Sequence, residues 1–266
     1  MRNLLFRKLL LISLFISCSG WSYSQTKNQR DAAGRKQGYW EAVDSKGKLV
    51  YTGNFVDDKP AGEMKRYYPT GSVRVIMNYD KSGTKVRVRF FWESGALAAQ
   101  GNYIETRRDS VWLFFSNNTK TVSRRVEYTH GKQHGKEQSF FPEGNVTEEI
   151  NWEAGLKNGP WTQYFKNGQP KLKATFVKDQ LEGAFTVFFP GGKKEIEGVY
   201  LNDVRNGDWK HYDENGKLMT TIRYSEGKIT NFDEVDAAQQ EFFKKLIEQE
   251  GKIKEPTYEE IMREIN

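Results

Sequence analysis

Cysteine is nearly absent from this 266-residue chain, with Cys18 its single example. The polypeptide can form no internal disulfide, and a cysteine-based zinc module is excluded. Histidine is almost as scarce, at three residues. His130 and His134 stand at H-x-x-x-H spacing in "THGKQHG", but glycines flank them in what reads as a loop between hairpins. Such a loop does not offer the helix face that aims two imidazoles at one metal. His211 alternates with Trp209 and reads as a surface or groove-lining strand residue. Long apolar runs are missing too. The stretch Leu9–Ile16 is too short to span a bilayer. Neither a G-x-S-x-G element, a P-loop nor a dinucleotide fingerprint occurs, and "PGGKK" at 190–194 reads as a hairpin turn. Glu148 and Glu149 are adjacent in a strand pattern, so their carboxylates face opposite ways and make no acid/base couple. The expectation is a protein that is not an enzyme and takes no cofactor or metal.

What charge there is has a revealing distribution. The formal net charge is +6, of which Arg2, Arg7 and Lys8 contribute three at the extreme N-terminus. From Asp233 onward ten carboxylates face five bases, which leaves residues 25–232 at about +8. A solvated sheet face accounts for this better than a nucleic-acid stripe, so no nucleic-acid partner is expected. The basic start followed by Leu9–Ile16 has the form of a secretory leader. Ser22-Tyr23-Ser24 places small residues for cleavage after Ser24, the preferred reading. Phe15-Ile16-Ser17-Cys18 offers the competing lipoprotein ending, in which Cys18 would carry lipid. Residues 1–24 are thus read as a signal peptide and 25–37 as a linker. The expected location is exported: periplasmic or outer-membrane associated in a bacterium.

From Gly38 the chain repeats itself. Opening positions fall at Gly38, Gly62, Val86, Ser110, Gly135, Gly159, Gly183 and Gly207, and turn positions nine residues later at Gly47, Gly71, Gly95, Thr119, Gly144, Gly168, Gly192 and Gly216. Every step is 24 residues except one of 25, with the extra residue in Thr119–Tyr128. Two residues past each opener stand Trp40, Met64, Val88, Trp112, Glu137, Trp161, Phe185 and Trp209. Five past it stand Val43, Tyr67, Phe91, Phe115, Phe140, Tyr164, Phe188 and Tyr212. Beyond the turn, alternate positions are apolar and end on an aromatic, Phe55 through Tyr224. Period two means a strand with one buried face, and glycine in the reversal supplies the positive φ of a tight turn. Residues 38–231 are therefore eight β-hairpins joined by linkers of about six residues, sixteen strands in an elongated single-layer antiparallel sheet. The fourth unit, with Ser110 and Thr119 for both glycines, is the most worn.

Residues 232–266 read differently. Asn231 and Glu234 have capping-box spacing, and Val235, Ala238, Phe242 and Leu246 make a helical stripe ended by Gly251. Pro256 can start a second short helix. C-terminal helices that cap the last strand are expected, since an open sheet edge recruits other chains. The alternative is a partner-binding helix.

"GPWTQYFKNGQPKLKATF" and "GDWKHYDENGKLMTTIRY" carry the repeat best. The pattern G-x-W-x-x-[YF]-[YF]-x-x-G-x-[LV] resembles the MORN repeat, and more closely the bacterial variant in proteins labelled YwqK-family antitoxins. The resemblance implies an elongated antiparallel sheet serving as scaffold, binding module or membrane-associated element, with catalysis left to other domains. An antitoxin acts inside the cell, which an export leader opposes. The expected function is an envelope scaffold or accessory subunit with a protein partner. Toxin neutralisation and peripheral membrane or cell-wall contact are the alternatives. The expected binding surface is a partly open aromatic row, Tyr67, Phe91, Phe115, Phe140, Tyr164, Phe188 and Tyr212, with Arg87, Arg89 and Lys65 nearby.

Overall fold

The period-two columns become one antiparallel meander. The computed structural model describes residues 26–232 and, beyond them, Lys244. The leader with Cys18 and Ser24 lies outside the described residues, as do the expected C-terminal helices apart from Phe232 and Lys244.

Eight hairpins follow one another: β2 (Lys36–Val43) with β3 (Leu49–Val56), β4 (Lys59–Tyr67) with β5 (Val73–Tyr79), β6 (Lys85–Phe91) with β7 (Leu97–Ile104), and β8 (Arg107–Phe115) with β9 (Val122–Thr129). Then come β10 (Lys132–Phe140) with β11 (Val146–Glu153), β12 (Leu156–Tyr164) with β13 (Pro170–Val177), β15 (Gly183–Phe188) with β16 (Lys194–Leu201), and β17 (Val204–Tyr212) with β18 (Leu218–Ser225). Three short pieces complete the 19 strands: β1 (Gln29–Arg30), β14 (Gln180–Leu181) and β19 (Lys228–Ile229). β14 is the leading end of β15, split off at Glu182, and both pair with β13. With β14 and β15 counted as one strand, each strand pairs with its sequence neighbours. The same holds through β19.

Three boundaries differ from expectation. The supposed linker 25–37 contains β1, which pairs with the start of β2. The inter-hairpin connections are mostly two residues, not six, because the strands run on to meet in tight turns. Asp57-Asp58, Glu105-Thr106, Lys178-Asp179 and Asn202-Asp203 all have φ between 49° and 71°. Two consecutive left-handed residues make the type I′ turn, whose twist matches the flanking strands. The opening glycines consequently sit inside strands, at bulges, as the register shift between Gln133 and Glu137 shows. In the fourth unit the left-handed residue is Lys120 (φ 60°), not Thr119, since the extra residue lies within the Ser116–Thr121 turn.

Both outer edges are closed by an asparagine. At one end the Asn28 carboxamide accepts from the Glu41 backbone N–H at 2.9 Å and donates to the Glu41 carbonyl at 3.1 Å. At the other, Asn231 Oδ1 accepts from Arg223 N–H (2.8 Å) and Nδ2 donates to the Thr221 carbonyl (2.9 Å). A carboxamide presents the same donor and acceptor as a peptide group, so each stands in for the next strand.

Candidate binding faces

Direct cross-strand partners share a face, and the register assigns every column. Trp40, Gly53, Met64, Met77 and Val88 are linked partner to partner on one face. Trp112, Val126, Glu137, Ile150, Trp161 and Ala174 continue it. All twelve buried hydrophobic side chains among the described residues lie on this side; Trp112 and Val126 are 0% exposed, Trp209 and Ile222 1%. A single sheet achieves this because each unit overlaps the next. A Cβ added to Gly101 would lie 2.3 Å from the Trp112 ring, and one on Gly198 2.3 Å from Trp209. These glycines have ordinary φ; they are needed for room.

The buried face also carries cationic lids, which sequence reading missed. Lys36, Arg108, Lys157 and Arg205 each stand two residues before an opener. Arg108 Cζ lies 4.7 Å from the Trp112 ring and 5.5 Å from Tyr128, donating to the Tyr128 hydroxyl at 3.2 Å. Arg205 repeats the arrangement at 4.4 Å from Trp209 and 5.5 Å from Tyr224, with a 3.1 Å bond to the Tyr224 hydroxyl. Lys36 Nζ covers Trp40, Phe55 and Tyr51, and Lys157 covers Phe176. Each ring face attracts the cation while the aliphatic stem excludes water. Unit five replaces the pair with polar groups: Glu137 accepts from Arg124 Nε at 2.5 Å and Gln133 Nε2 at 2.8 Å. The only signal for the lids was an intermittent column of bases, too irregular to read without the register.

The aromatic row expected from sequence lies together on the opposite face. Tyr67, Phe91, Phe115, Phe140, Tyr164, Phe188 and Tyr212 are all half-buried. Their orientation is fixed by neighbours on that side: Tyr67 Oη is 3.0 Å from Thr52 Oγ1, Tyr164 donates to Glu149 at 3.3 Å, and Tyr212 to Glu197 at 2.5 Å. Burial, then the adjacent Glu149 charge, raises the Tyr164 hydroxyl pKa; for Tyr212 the bond to Glu197 is the leading cause. Successive rings are two strands apart, roughly 9.6 Å. Arg87 and Arg89 are exposed on the same side, lining a polar hollow of about 660 Å³ with Asn78, Asp80, Gln100 and Asn102. Lys65 there pairs with Glu63 at 3.0 Å. Tyr68, Trp92, Phe141, Phe165 and Phe189, one step further into the turns, add a second half-buried column beside the row.

The three histidines do not converge. His130 occupies a left-handed turn position (φ 51°), and His134 Nδ1 accepts from Ala154 N–H at 3.4 Å. His211 belongs to the buried face, beside the Arg205 lid. Burial first, and the Arg205 charge second, lower its pKa to about 4. Among the described residues there is no cluster of three His, Cys, Asp or Glu able to hold a metal, and no helix long and apolar enough to cross a membrane.

The family described as MORN repeat variant matches residues 61–81, 133–154, 157–178 and 205–231. The chain carries MORN repeats. Each matched stretch runs across one of the hairpins of the meander. No curated protein matches the sequence. Among solved structures the chain aligns with TarM at 13% identity and a TM-score of 0.25, over 54% of this chain and 20% of that one. A mutant of S. aureus TarM, crystallised with fondaparinux, alpha-GlcNAc-glycerol and UDP, aligns at 13% identity and a TM-score of 0.17, over 59% of this chain and 21% of that one. The MORN chain therefore spans about a fifth of the length of each.

Proposed function

We propose that this chain is an exported envelope repeat protein that works by protein–protein contact, as a scaffold or accessory subunit. The observation that carries the reading is the half-buried row from Tyr67 to Tyr212, held at fixed pitch on the face opposite the buried side chains. Rings at constant spacing, with Arg87 and Arg89 beside them, suit an extended partner that makes many modest contacts. The leader-like N-terminus supports an envelope location.

The test is capture from bacterial envelope extract under mild cross-linking. A triple variant, Tyr164→Ala, Phe188→Ala and Tyr212→Ala, should lose at least ten-fold in recovery of the captured protein while its circular dichroism stays unchanged. Equal recovery by the variant would remove the row from the reading. Binding to liposomes or peptidoglycan in place of a protein, weakening with salt, would replace it with surface attachment. A cognate toxin bound one to one would replace it with neutralisation.

A further inference from the structure

The third hairpin breaks the pattern of the buried face. Its opener is Val86, without positive φ, and β5 pairs with β6 in unshifted register. Its lid position is Thr84. The Thr84 carbonyl is used as in the other units, accepting from Glu105 N–H at 2.9 Å as Arg108 does from Gly131 and Arg205 from Gly227. Thr84 itself, however, lies in the Asp80–Lys85 turn, and Val86 pairs with Tyr79, where Arg108 pairs with Tyr103 and Arg205 with Tyr200. The Thr84 side chain is too short to reach over the rings. Where the following unit holds Arg108, this unit has a hollow of about 480 Å³, floored by Val75, Met77, Val88, Phe90 and Tyr103; the preceding unit has Pro60 at this position. Thr84 and Glu105 stand on its rim.

We propose that this hollow receives one lysine or arginine side chain of a partner protein. The chain itself supplies the precedent: at four equivalent positions the same space over the aromatic residues is filled by Lys36, Arg108, Lys157 or Arg205. Phe90 and Tyr103 occupy the positions that Phe114 and Tyr128 take around Arg108. Glu105 has no ion-pair partner among the described residues and can meet the incoming charge. Arg66 borders the far wall, exposed and without an ion-pair partner among the described residues, and it would favour an anion instead. The probes are chosen to separate these outcomes. The site lies on the face opposite the aromatic row and stands or falls independently of it.

The experiment is a methyl-detected NMR titration of the intact chain, following Met77, Val75 and Val88. The probes are n-butylguanidinium, the neutral n-butylurea, and hexanoate. Butylguanidinium should shift these methyls saturably, at least five-fold more tightly than butylurea. Thr84→Arg, which places the missing lid in cis, should abolish the response and leave the shifts near Trp209 unchanged. Should that variant fail to fold, Glu105→Gln should reduce the preference for the cation several-fold. Equal affinity for the two isosteres, tighter binding of hexanoate, or an undiminished response in Thr84→Arg would each overturn the proposal.

Discussion

At the scale of single residues, this protein uses glycine for two unrelated reasons. Gly168 has φ +80° with open space around its missing side chain, so its role is conformational. Gly198 has no positive φ, and its role is to leave room for Trp209. Gly168→Ala should cost roughly 1–2 kcal/mol through left-handed strain. Gly198→Ala should cost about 1–3 kcal/mol or more through overpacking against a fully buried indole; urea unfolding of the two variants will separate the mechanisms. Relieving the clash with a second change, Trp209→Leu, should recover part of the loss for Gly198→Ala and none for Gly168→Ala. His211 gives a pH signature. Its folded pKa, about 4, is depressed below the unfolded value, so the unfolded chain binds the proton first. The stabilisation is complete above the unfolded value near 6.5 and is lost as pH falls toward 4. His211→Gln should flatten the stability profile between those limits, as measured by chemical unfolding at a series of pH values.

At the scale of elements, the hairpin is marginal alone, and what makes it persist is the next hairpin. Connections of two left-handed residues hold successive units close, and backbone bonds such as Asp179 N–H to the Lys157 carbonyl (2.9 Å) tie one turn to the previous one. Asp179 Oδ1 also accepts from Lys157 N–H at 2.7 Å. These turns were hard to see in the sequence because residue pairs such as Asp57-Asp58 and Lys178-Asp179 carry them without glycine. The hairpin reversals, by contrast, were visible as glycines at fixed spacing. The edge strands are where an open sheet is most exposed to pairing with a second copy. Asn231→Ala should release Arg223 N–H and the Thr221 carbonyl. The expected result is faster hydrogen exchange at Arg223 and concentration-dependent self-association in light scattering; Asn231→Gly should behave the same way. A variant as protected and as monomeric as the parent would show that the carboxamide does not guard the edge.

At the scale of the whole molecule, each hairpin touches only its neighbours, so stability is a sum of adjoining interfaces. Deleting one complete unit, residues 159–182, joins equivalent positions and should leave a shorter folded sheet. Its urea m-value should drop by about one-eighth, in proportion to the surface no longer exposed on unfolding. A deletion that unfolds the whole chain would show coupling beyond nearest neighbours. The aromatic row was legible before the structure because its seven members share one repeat position. The lids and the hollow over Thr84 were not, since they depend on which side chains cross from one strand to the next.

The 24-residue period, the two-faced strands and the eight hairpins follow from sequence alone, because turn chemistry and alternation are local properties of the chain. Alternation says which residues share a face; it does not say which face is sealed. That was decided in the assembled sheet, where the glycines of one unit admit the tryptophan of the next and a preceding lysine or arginine closes over the rings. The same stacking left a hollow in the third unit, since Thr84 cannot span the space that Lys36, Arg108, Lys157 and Arg205 fill in four of the other units.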